Sequence, residues 1–242
     1  MAAADGATTA GVGTNRSMTL QEALSGRFSC RAFRPEPIAR RVVEEILDDA
    51  RRTPSWCNSQ PWHVIVTGGD ETERLRARLL AEVADRPGNY DLDPPSRYTG
   101  LFDERRRTSG LQLYASLGIA REDRQARLEQ AWQNYRFFGA PHVAIVTTEA
   151  DLGDYGHVDT GGFVSAFLLA AHVRGVATIA QAAVANYSDV VRDHFALPAS
   201  RHVVCAISFG HADLDHPANA FRTDRAPQHE IADLRGFLGG DQ

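Results

Sequence analysis

The sequence contains no lysine: all 26 basic residues among its 242 are arginine. This absence excludes chemistry that depends on a lysine amine, including Schiff-base formation and the phosphate-binding loop whose lysine reaches the terminal phosphates. An anion site in this chain must therefore use arginine or backbone N–H groups. Arginine keeps its charge at every accessible pH and offers a planar fork matched to phosphate, so such a site binds anions without shuttling protons.

Cysteine and long hydrophobic runs are also scarce. The three cysteines form no CxxC pair, and the N-terminus has no apolar stretch of the kind that begins a secretory signal, which together predict a cytoplasmic protein. No run approaches the ~18 apolar residues that span a bilayer. With 31 acidic against 26 basic residues the net charge is −5, which gives no electrostatic footprint for nucleic acid. We expect neither membrane nor nucleic acid as a partner.

Hydrophobic periodicity divides the chain into one arm and one domain. Residues 1–17 are small, polar and glycine-rich, and we expect a disordered arm, followed by a single domain over 18–242. Strands are predicted at 62–67, 142–147 and 202–208. Helices are predicted at 19–26, 38–52, 101–117, 121–138, 159–174 and a short stretch from Ser188. A further helix is predicted to be capped by Asp70 and to carry Leu75, Leu79, Leu80 and Val83.

The order of these elements favours an α+β fold. Three or four strands are scattered among six or seven helices without strict βαβ alternation, and no GxGxxG fingerprint is present, so a doubly wound dinucleotide fold is disfavoured. The helix predicted at 159–174 is apolar nearly all round, which is typical of a helix that is buried on several sides or lies at a subunit contact.

An arginine-rich stretch, RFSCRAFR at 27–34, lies between two predicted helices. Its arginine forks, a serine hydroxyl and loop backbone supply donors suited to a phosphate. A solvated basic turn would give the same pattern, so spacing alone leaves both interpretations open.

A second stretch, PSWCNSQPW at 54–62, interleaves hydrogen-bonding side chains with two tryptophans. Such a loop can read the edge of a flat heterocycle and pack against its face, as cofactor pockets do. The alternative is a well-packed connector.

Together these motifs resemble the opening of the nitroreductase family of flavin mononucleotide (FMN) enzymes, with its RRSxRxF and PSxxNxQPW patterns. Further on, GGFVSAFLLAAHVRGVAT is similar to the family's buried central helix, VVRDHFALPASRHVVCAISFGHAD to its late helix, strand and glycine turn, and NAFRTDRAP to its closing arginine motif. The resemblance covers residues 25 to about 235. It implies a nitroreductase-like fold, with a central, mostly antiparallel sheet surrounded by helices, in an intertwined homodimer with FMN at the subunit interface.

The resemblance also implies which residues hold the cofactor. Arg27, Ser29 and Arg31 would hold its phosphate and pyrimidine edge, joined at the phosphate by Arg225 and Arg222. Phe28 stands among them where the family commonly has a basic or polar residue. From the partner subunit would come Pro54, Ser55, Trp56 and Asn58, while Gln181, Ala182 and Ala183 would lie over the ring with backbone groups near its hydride-accepting nitrogen.

The implied activity is ping-pong reduction of nitroaromatic compounds with NADPH or NADH as reductant. It needs no side-chain acid or base, and none is assigned. Quinone reduction, dehalogenation, flavin fragmentation and non-catalytic flavin binding remain alternatives on the same fold. The region 87–138 matches no family pattern securely. Its aromatic side chains are candidates for the wall of a small aromatic substrate's pocket, or else for the core: Tyr98, Phe102, Tyr114, Phe137 and Phe138.

Two other chemistries are open to residues of this sequence. Cys57 and His63 have a spacing open to a thiol nucleophile and its base, although an isolated cysteine is more often simply buried. The HADLDH stretch at 211–216 carries four potential metal ligands, but all would have to converge in one turn. We therefore expect no metal.

Overall fold

The structure is a computed structural model that describes residues 18–236. The arm predicted at 1–17 lies outside the described residues. The strands of the domain are β1 His63–Gly68, β2 His142–Glu149, β3 Ala177–Gln181 and β4 Arg201–Gly210. They form one sheet in the order β1–β2–β4–β3, and every neighbouring pair is antiparallel.

Helices surround this sheet. In chain order they are α1 Leu20–Gly26, α2 Arg40–Ala50, α3 Asp70–Asp85, α4 Leu101–Ser116, α5 Arg124–Trp132, α6 Gly153–Val173, α7 Ala182–Ala185, α8 Ser188–Phe195 and α9 Gln228–Ile231. Short 3-10 turns occur at Trp56–Asn58, Phe137–Gly139, Ala150–Leu152 and Pro217–Asn219. In the part of the chain that the structure describes, no helix is long and apolar enough to cross a bilayer.

The two faces of the sheet bury two separate cores, because successive side chains of a strand point to opposite faces. On β2, Val143 and Ile145 pack into one core with α3 and α8, whereas Ala144 and Val146 pack into the other with α2 and α6. Positions 142–148 of β2 are accordingly all buried, with an uninterrupted apolar run at 143–146 instead of alternation, as expected for a strand covered on both faces.

Helix α6 is only partly enclosed. Phe163, Phe167 and Ala171 are buried in the second core, but Tyr155 and Val158 on the same helix are exposed. One face of this nearly all-apolar helix is thus open in the single chain.

The antiparallel sheet with helices on both faces confirms the predicted α+β architecture. The strand β3 was not predicted, and it completes the sheet as the edge partner of β4. Two helix predictions need correction. The helix expected at 121–138 begins at Arg124 and ends at Trp132, and the helix expected from 159 begins at Gly153.

Candidate active site

Two distant segments meet in one cavity of about 200 Å³, which we call the arginine pocket. One wall comes from the end of α1 and the turn that follows it, and the other comes from the segment after the last 3-10 turn. The lining residues are Leu24, Ser25, Arg27, Phe28, Ser29, Arg31, Phe221, Arg222, Thr223 and Arg225. The structure therefore brings together the five residues that the resemblance assigns to the phosphate and pyrimidine end of a cofactor, with Phe28 among them.

The four arginines of this pocket have no carboxylate partner within residues 18–236. Arg31 Nη1 donates to the Ser29 carbonyl at 3.2 Å, Arg222 Nη1 to the Asn219 carbonyl at 2.8 Å, and Arg225 Nη1 to Thr223 Oγ1 at 2.8 Å. Most arginines elsewhere in the chain do pair with an acid, as Arg192 does with Asp91 at 2.6 Å. The pocket is consequently an uncompensated positive cluster.

Burial and the repulsion between arginines lower pKa values in this cluster. The pKa of Arg27 lies below its ordinary value because the guanidinium is partly buried and because Arg225 adds a second positive charge nearby. Burial likewise lowers the pKa of Arg31. Both side chains remain charged at neutral pH, so the pocket carries an energetic cost that a bound anion would relieve.

Asn219 holds the two walls of the pocket together. Its Oδ1 accepts a hydrogen bond from Arg31 N at 2.7 Å, and its Nδ2 donates to the carbonyls of Ala32 and Asp213 at 2.9 and 2.7 Å. Its side chain uses both polar ends and is 3% exposed. Sequence patterns do not reveal this residue, since its partners Arg31 and Ala32 lie 188 and 187 residues away. The only local signal is the short HPAN turn that contains it.

Phe28 supports the pocket from within. The carbon of the Arg222 guanidinium lies 3.8 Å from the centroid of the Phe28 ring, and the Arg31 guanidinium lies 5.4 Å from the ring of Phe221. Each arginine stacked on a ring loses little further conformational freedom when it binds an anion. A phenylalanine at position 28 thus orients an arginine where the family more often supplies a polar group.

A second cavity, of about 320 Å³, adjoins the arginine pocket and shares Arg31 with it. We call it the ring cavity. It lies between the end of α4, the chain around α5 and the β3–α7 junction. Its lining residues are Arg31, Leu113, Tyr114, Gln130, Ala131, Asn134, Phe138, Ile179, Ala180, Gln181 and Ala182.

Both polar atoms of the Gln181 side chain are hydrogen-bonded to other groups of the protein. Its Nε2 donates to the Asn134 carbonyl at 2.8 Å, and its Oε1 accepts from the Ser208 hydroxyl. Only the backbone at 181–183 is therefore left for a ligand, as the resemblance implies. Gln181 and Ala182 line the ring cavity, whereas Ala183 does not.

The loop with Pro54, Ser55, Trp56 and Asn58 lies away from both the arginine pocket and the ring cavity of its own chain. Trp56 lines a different cavity of about 290 Å³. Its ring meets the Tyr155 ring edge to face at a centroid distance of 4.2 Å, and its backbone N–H donates to Asp159 Oδ2 at 2.9 Å. Asn58 is exposed and has φ 56°, a left-handed conformation that asparagine tolerates. None of the four lines the arginine pocket or the ring cavity of the same chain.

The aromatic candidates for a substrate wall separate into three groups. Tyr114 lines the ring cavity, and so does Phe138. Tyr98 and Phe102 are exposed on the loop before α4 and on α4 itself, outside that cavity. Phe137 needs correction: its side chain is 0% exposed, packs in the core beneath Arg76, and has no surface to offer a substrate.

The two rival chemistries find little support in the geometry. Cys57 is exposed, not buried as an isolated cysteine usually is, and no hydrogen bond joins it to His63 within the described chain. His216 Nδ1 in the HADLDH stretch accepts from the Ala218 N–H at 3.1 Å. Among residues 18–236, no three histidine, cysteine or acidic side chains are arranged to hold a metal ion.

Comparisons with known proteins show the family to which the chain belongs. Residues 24–211 match the model of the nitroreductase family. A 4-nitrobenzoate reductase of Pseudomonas putida is 31% identical over 214 residues, which are 88% of this chain and 94% of that protein. Another 4-nitrobenzoate reductase, from a Nocardioides strain, is 34% identical over 207 residues and 84% of each chain.

The fold also matches solved structures. The FMN-dependent nitroreductase NfnB from Mycobacterium smegmatis, in complex with NADPH, superposes with a TM-score of 0.85 at 32% sequence identity, covering 88% of this chain and 96% of that one. On its sequence and on its fold, this chain belongs to the nitroreductase family.

Proposed function

We propose that this protein is an FMN-dependent oxidoreductase that uses NADPH or NADH to reduce nitroaromatic compounds. The observation that carries the proposal is the arginine pocket. Its four arginines lack any acidic partner among the described residues, and through Arg31 it adjoins a second cavity whose lining includes the rings of Tyr114 and Phe138. The chemistry and the order of these two cavities fit a phosphate-bearing heterocycle.

The residues present can be matched to the parts of FMN. Arg27, Arg222 and Arg225, with the Ser29 hydroxyl, would hold the phosphate by charge-assisted hydrogen bonds. Arg31 stands at the junction and would meet the pyrimidine edge. Backbone groups at 181–182 would face the ring, since the Gln181 side chain is bonded elsewhere.

The chain's own part in the reaction is positional and electrostatic. When bound, FMN supplies two-electron chemistry, in which the nicotinamide and the nitroaromatic compound react in turn at the same place. The arginines would fix the cofactor, and Tyr114 and Phe138 would hold a flat substrate by its face. The protons that nitro reduction consumes would come from solvent, since the lining of the ring cavity contains no carboxylate or histidine to supply them.

We also propose that the functional unit is a homodimer. Exposed apolar residues of α1 and α6, two helices that contact each other, support this: Leu20, Leu24, Tyr155, Val158 and Val173. The loop at 54–58 lines neither cavity of its own chain, so a role for it at the cofactor requires a second copy. A cytoplasmic location remains a prediction from the cysteine content.

Reductase activity is the direct test. We expect the purified protein to show flavin absorption bands that bleach when NADPH is added without oxygen and return when a nitroaromatic compound follows. Initial rates should give parallel double-reciprocal lines. A protein that binds FMN but oxidises no nicotinamide would instead be a flavin-binding protein, and faster turnover with quinones or halogenated aromatics would select those acceptors.

The phosphate assignment has its own test. Because charge-assisted hydrogen bonds contribute about 1.5–3 kcal/mol, Arg27→Gln should weaken FMN binding by roughly 10- to 100-fold. Riboflavin lacks the phosphate, so its affinity should hardly change in the same variant. Arg34→Gln serves as the matched control, because Arg34 is exposed nearby and lines neither cavity. Equal losses for FMN and riboflavin would contradict the assignment.

A further inference from the structure

The turn at residues 55–60 has an unusual backbone. Cys57, Asn58 and Gln60 have φ values of 51°, 56° and 48°, in the left-handed region that residues other than glycine rarely adopt. A backbone strained in this way persists only where the surrounding structure fixes it, and such residues cluster at ligand-binding sites. The turn is therefore a candidate for a function, and the groups that fix it are candidates for a part in that function.

Ser55 closes the turn from within. The Gln60 backbone N–H donates to Ser55 Oγ at 2.9 Å, and the Asn58 backbone N–H donates to the Ser55 carbonyl at 3.0 Å. The side-chain amide of Asn58, in contrast, is exposed and makes no hydrogen bond within the described chain. The turn thus presents an amide that is available to a ligand.

Helix α6 supports this turn along one stripe of its surface. Tyr155, Asp159 and Gly162 have the spacing i, i+4 and i+7, which places them on one face of the helix. The Tyr155 ring contacts the Trp56 ring, and the Asp159 carboxylate accepts from the Trp56 backbone N–H at 2.9 Å. At Gly162 the helix comes so close that a side-chain carbon would lie 3.1 Å from the Thr53 methyl group.

Asp159 makes the one side-chain hydrogen bond from α6 to this turn among residues 18–236. Its carboxylate is partly buried and pairs with no arginine in that part of the chain, so its negative charge serves the Trp56 N–H. A charge-assisted hydrogen bond of this kind is stronger than one between neutral groups. Asp159 lines neither the arginine pocket nor the ring cavity of its own chain, so any effect on a cofactor passes through the turn.

We propose that Asp159 is a positioning residue, whose carboxylate holds the 55–60 turn in the strained conformation from which Asn58 contacts the FMN bound by the partner subunit. This inference rests on the proposed function and on the proposed homodimer. Asp159 thereby links the dimer helix α6 to the cofactor site of the other chain.

FMN affinity is the first measurement. We expect Asp159→Ala to raise the FMN dissociation constant about tenfold, because the turn loses the charge-assisted hydrogen bond that fixes it. Asp159→Asn keeps a side-chain oxygen that can accept from the same N–H, and it should stay within about threefold of the wild type. Asp154→Ala is the matched control, since it removes an exposed carboxylate from the first turn of the same helix. It should bind FMN as tightly as the wild type does.

A mixed dimer separates positioning of the partner's cofactor from a structural role. Arg27→Gln and Asp159→Ala chains, carrying different tags, are expressed together and the doubly tagged dimer is purified. If Asp159 acts on the partner's FMN, one site combines both defects, and the other combines an intact Arg27 with an intact Asp159. We therefore expect one FMN to bind per mixed dimer with wild-type affinity. If Asp159 acted on the cofactor of its own chain, each site would carry one defect and no tight site would form.

The outcomes distinguish the inference from the proposed function. Unchanged FMN affinity in Asp159→Ala, with NADPH still oxidised, would overturn the inference and leave the proposed function standing. So would a mixed dimer without a tight site, or an Asp159→Asn variant as weak as Asp159→Ala. If neither Asp159 variant formed a folded dimer, Asp159 would be a structural residue, which also overturns the inference. A wild-type protein that neither binds FMN nor oxidises NADPH would overturn the proposed function itself.

Discussion

The central carbon of the Arg222 guanidinium lies over the Phe28 ring, 3.8 Å from the ring centroid. Arg222 also donates to the carbonyls of Asn219 and Phe221, so the stack and the two hydrogen bonds together fix its direction. An arginine held in this way meets an anion without first being ordered.

Replacing Phe28 should therefore weaken FMN binding although Phe28 carries no charge. Cation–π contacts contribute about 0.5–2 kcal/mol, so Phe28→Leu should raise the FMN dissociation constant by roughly 2- to 30-fold, measured by quenching of FMN fluorescence. Phe28→Tyr keeps the ring and should bind FMN almost as well as the wild type. Equal affinity in Phe28→Leu and wild type would mean that the stack has no part in binding.

Asn219 should prove essential to the pocket although it does not line it. Asn219→Asp replaces the two N–H bonds to the Ala32 and Asp213 carbonyls with a buried carboxylate that faces them. We expect the free energy of unfolding, measured by denaturant titration, to fall by about 3 kcal/mol. Gln228→Glu, on exposed α9, makes a similar amide-to-acid change and should cost little. A similar cost for both variants would contradict the role given to Asn219.

The sequence predicted the helices and strands whose hydrophobic residues recur at regular spacing, and the motifs whose residues are neighbours in the chain. The β-branched run at 62–67 and the helix face at 38–52 were found because their spacing matches one element. Strand β3 was missed because only Thr178 and Ile179 of its five residues are β-branched. It becomes a strand through pairing with β4, which no local pattern records.

The aromatic residues show the same limit at the site. Phe137 and Phe138 were placed in one long helix, but the helix ends at Trp132 and both phenylalanines have positive φ, 56° and 53°. In that turn helical periodicity no longer says which ring faces inward. Phe137 is turned into the core, and Phe138 is turned to the ring cavity.

A buried histidine should make stability depend on pH. His142 accepts a hydrogen bond from Ile38 N at Nε2, at 2.9 Å, and its Nδ1 lies 3.1 Å from the Thr67 carbonyl, which assigns the proton to Nδ1. Burial lowers its pKa, against a weaker opposing effect of that carbonyl. The unfolded chain therefore takes up the proton first, and the stability present above the ordinary pKa of 6.5 is lost as pH falls through the lower folded pKa.

His142→Gln removes this titration. We expect the variant to be less stable than the wild type at pH 7.5 by about 1–2 kcal/mol, because the glutamine amide reproduces the two hydrogen bonds of the buried imidazole only imperfectly. Between pH 7.5 and 5.5 it should lose less stability than the wild type, measured by urea unfolding. His229→Gln on exposed α9 should retain the full wild-type pH dependence. An identical pH dependence in His142→Gln would show that His142 does not contribute to it.

An ion pair between Asp91 and Arg192 joins the long loop that precedes α4 to helix α8. Asp91 Oδ2 accepts from Arg192 Nη1 at 2.6 Å and from Val203 N at 2.8 Å, and the two side chains are 9% and 18% exposed. Removal of one partner leaves the other charge buried and unpaired, which costs about 3–5 kcal/mol. Asp91→Ala should therefore detach the start of the loop from α8 and β4.

Trypsin offers a local measure of that detachment. The chain has no lysine, so trypsin can cut only after arginine, and Arg97 is exposed in the last part of the loop. Cleavage after Arg97 should be at least tenfold faster in Asp91→Ala than in the wild type, because local opening exposes the segment to the protease. Asp93→Ala removes an exposed carboxylate two residues further on and should leave the cleavage rate unchanged. If both variants were cut at the same rate, the loop would be held by its backbone hydrogen bonds at Asn89 rather than by the ion pair.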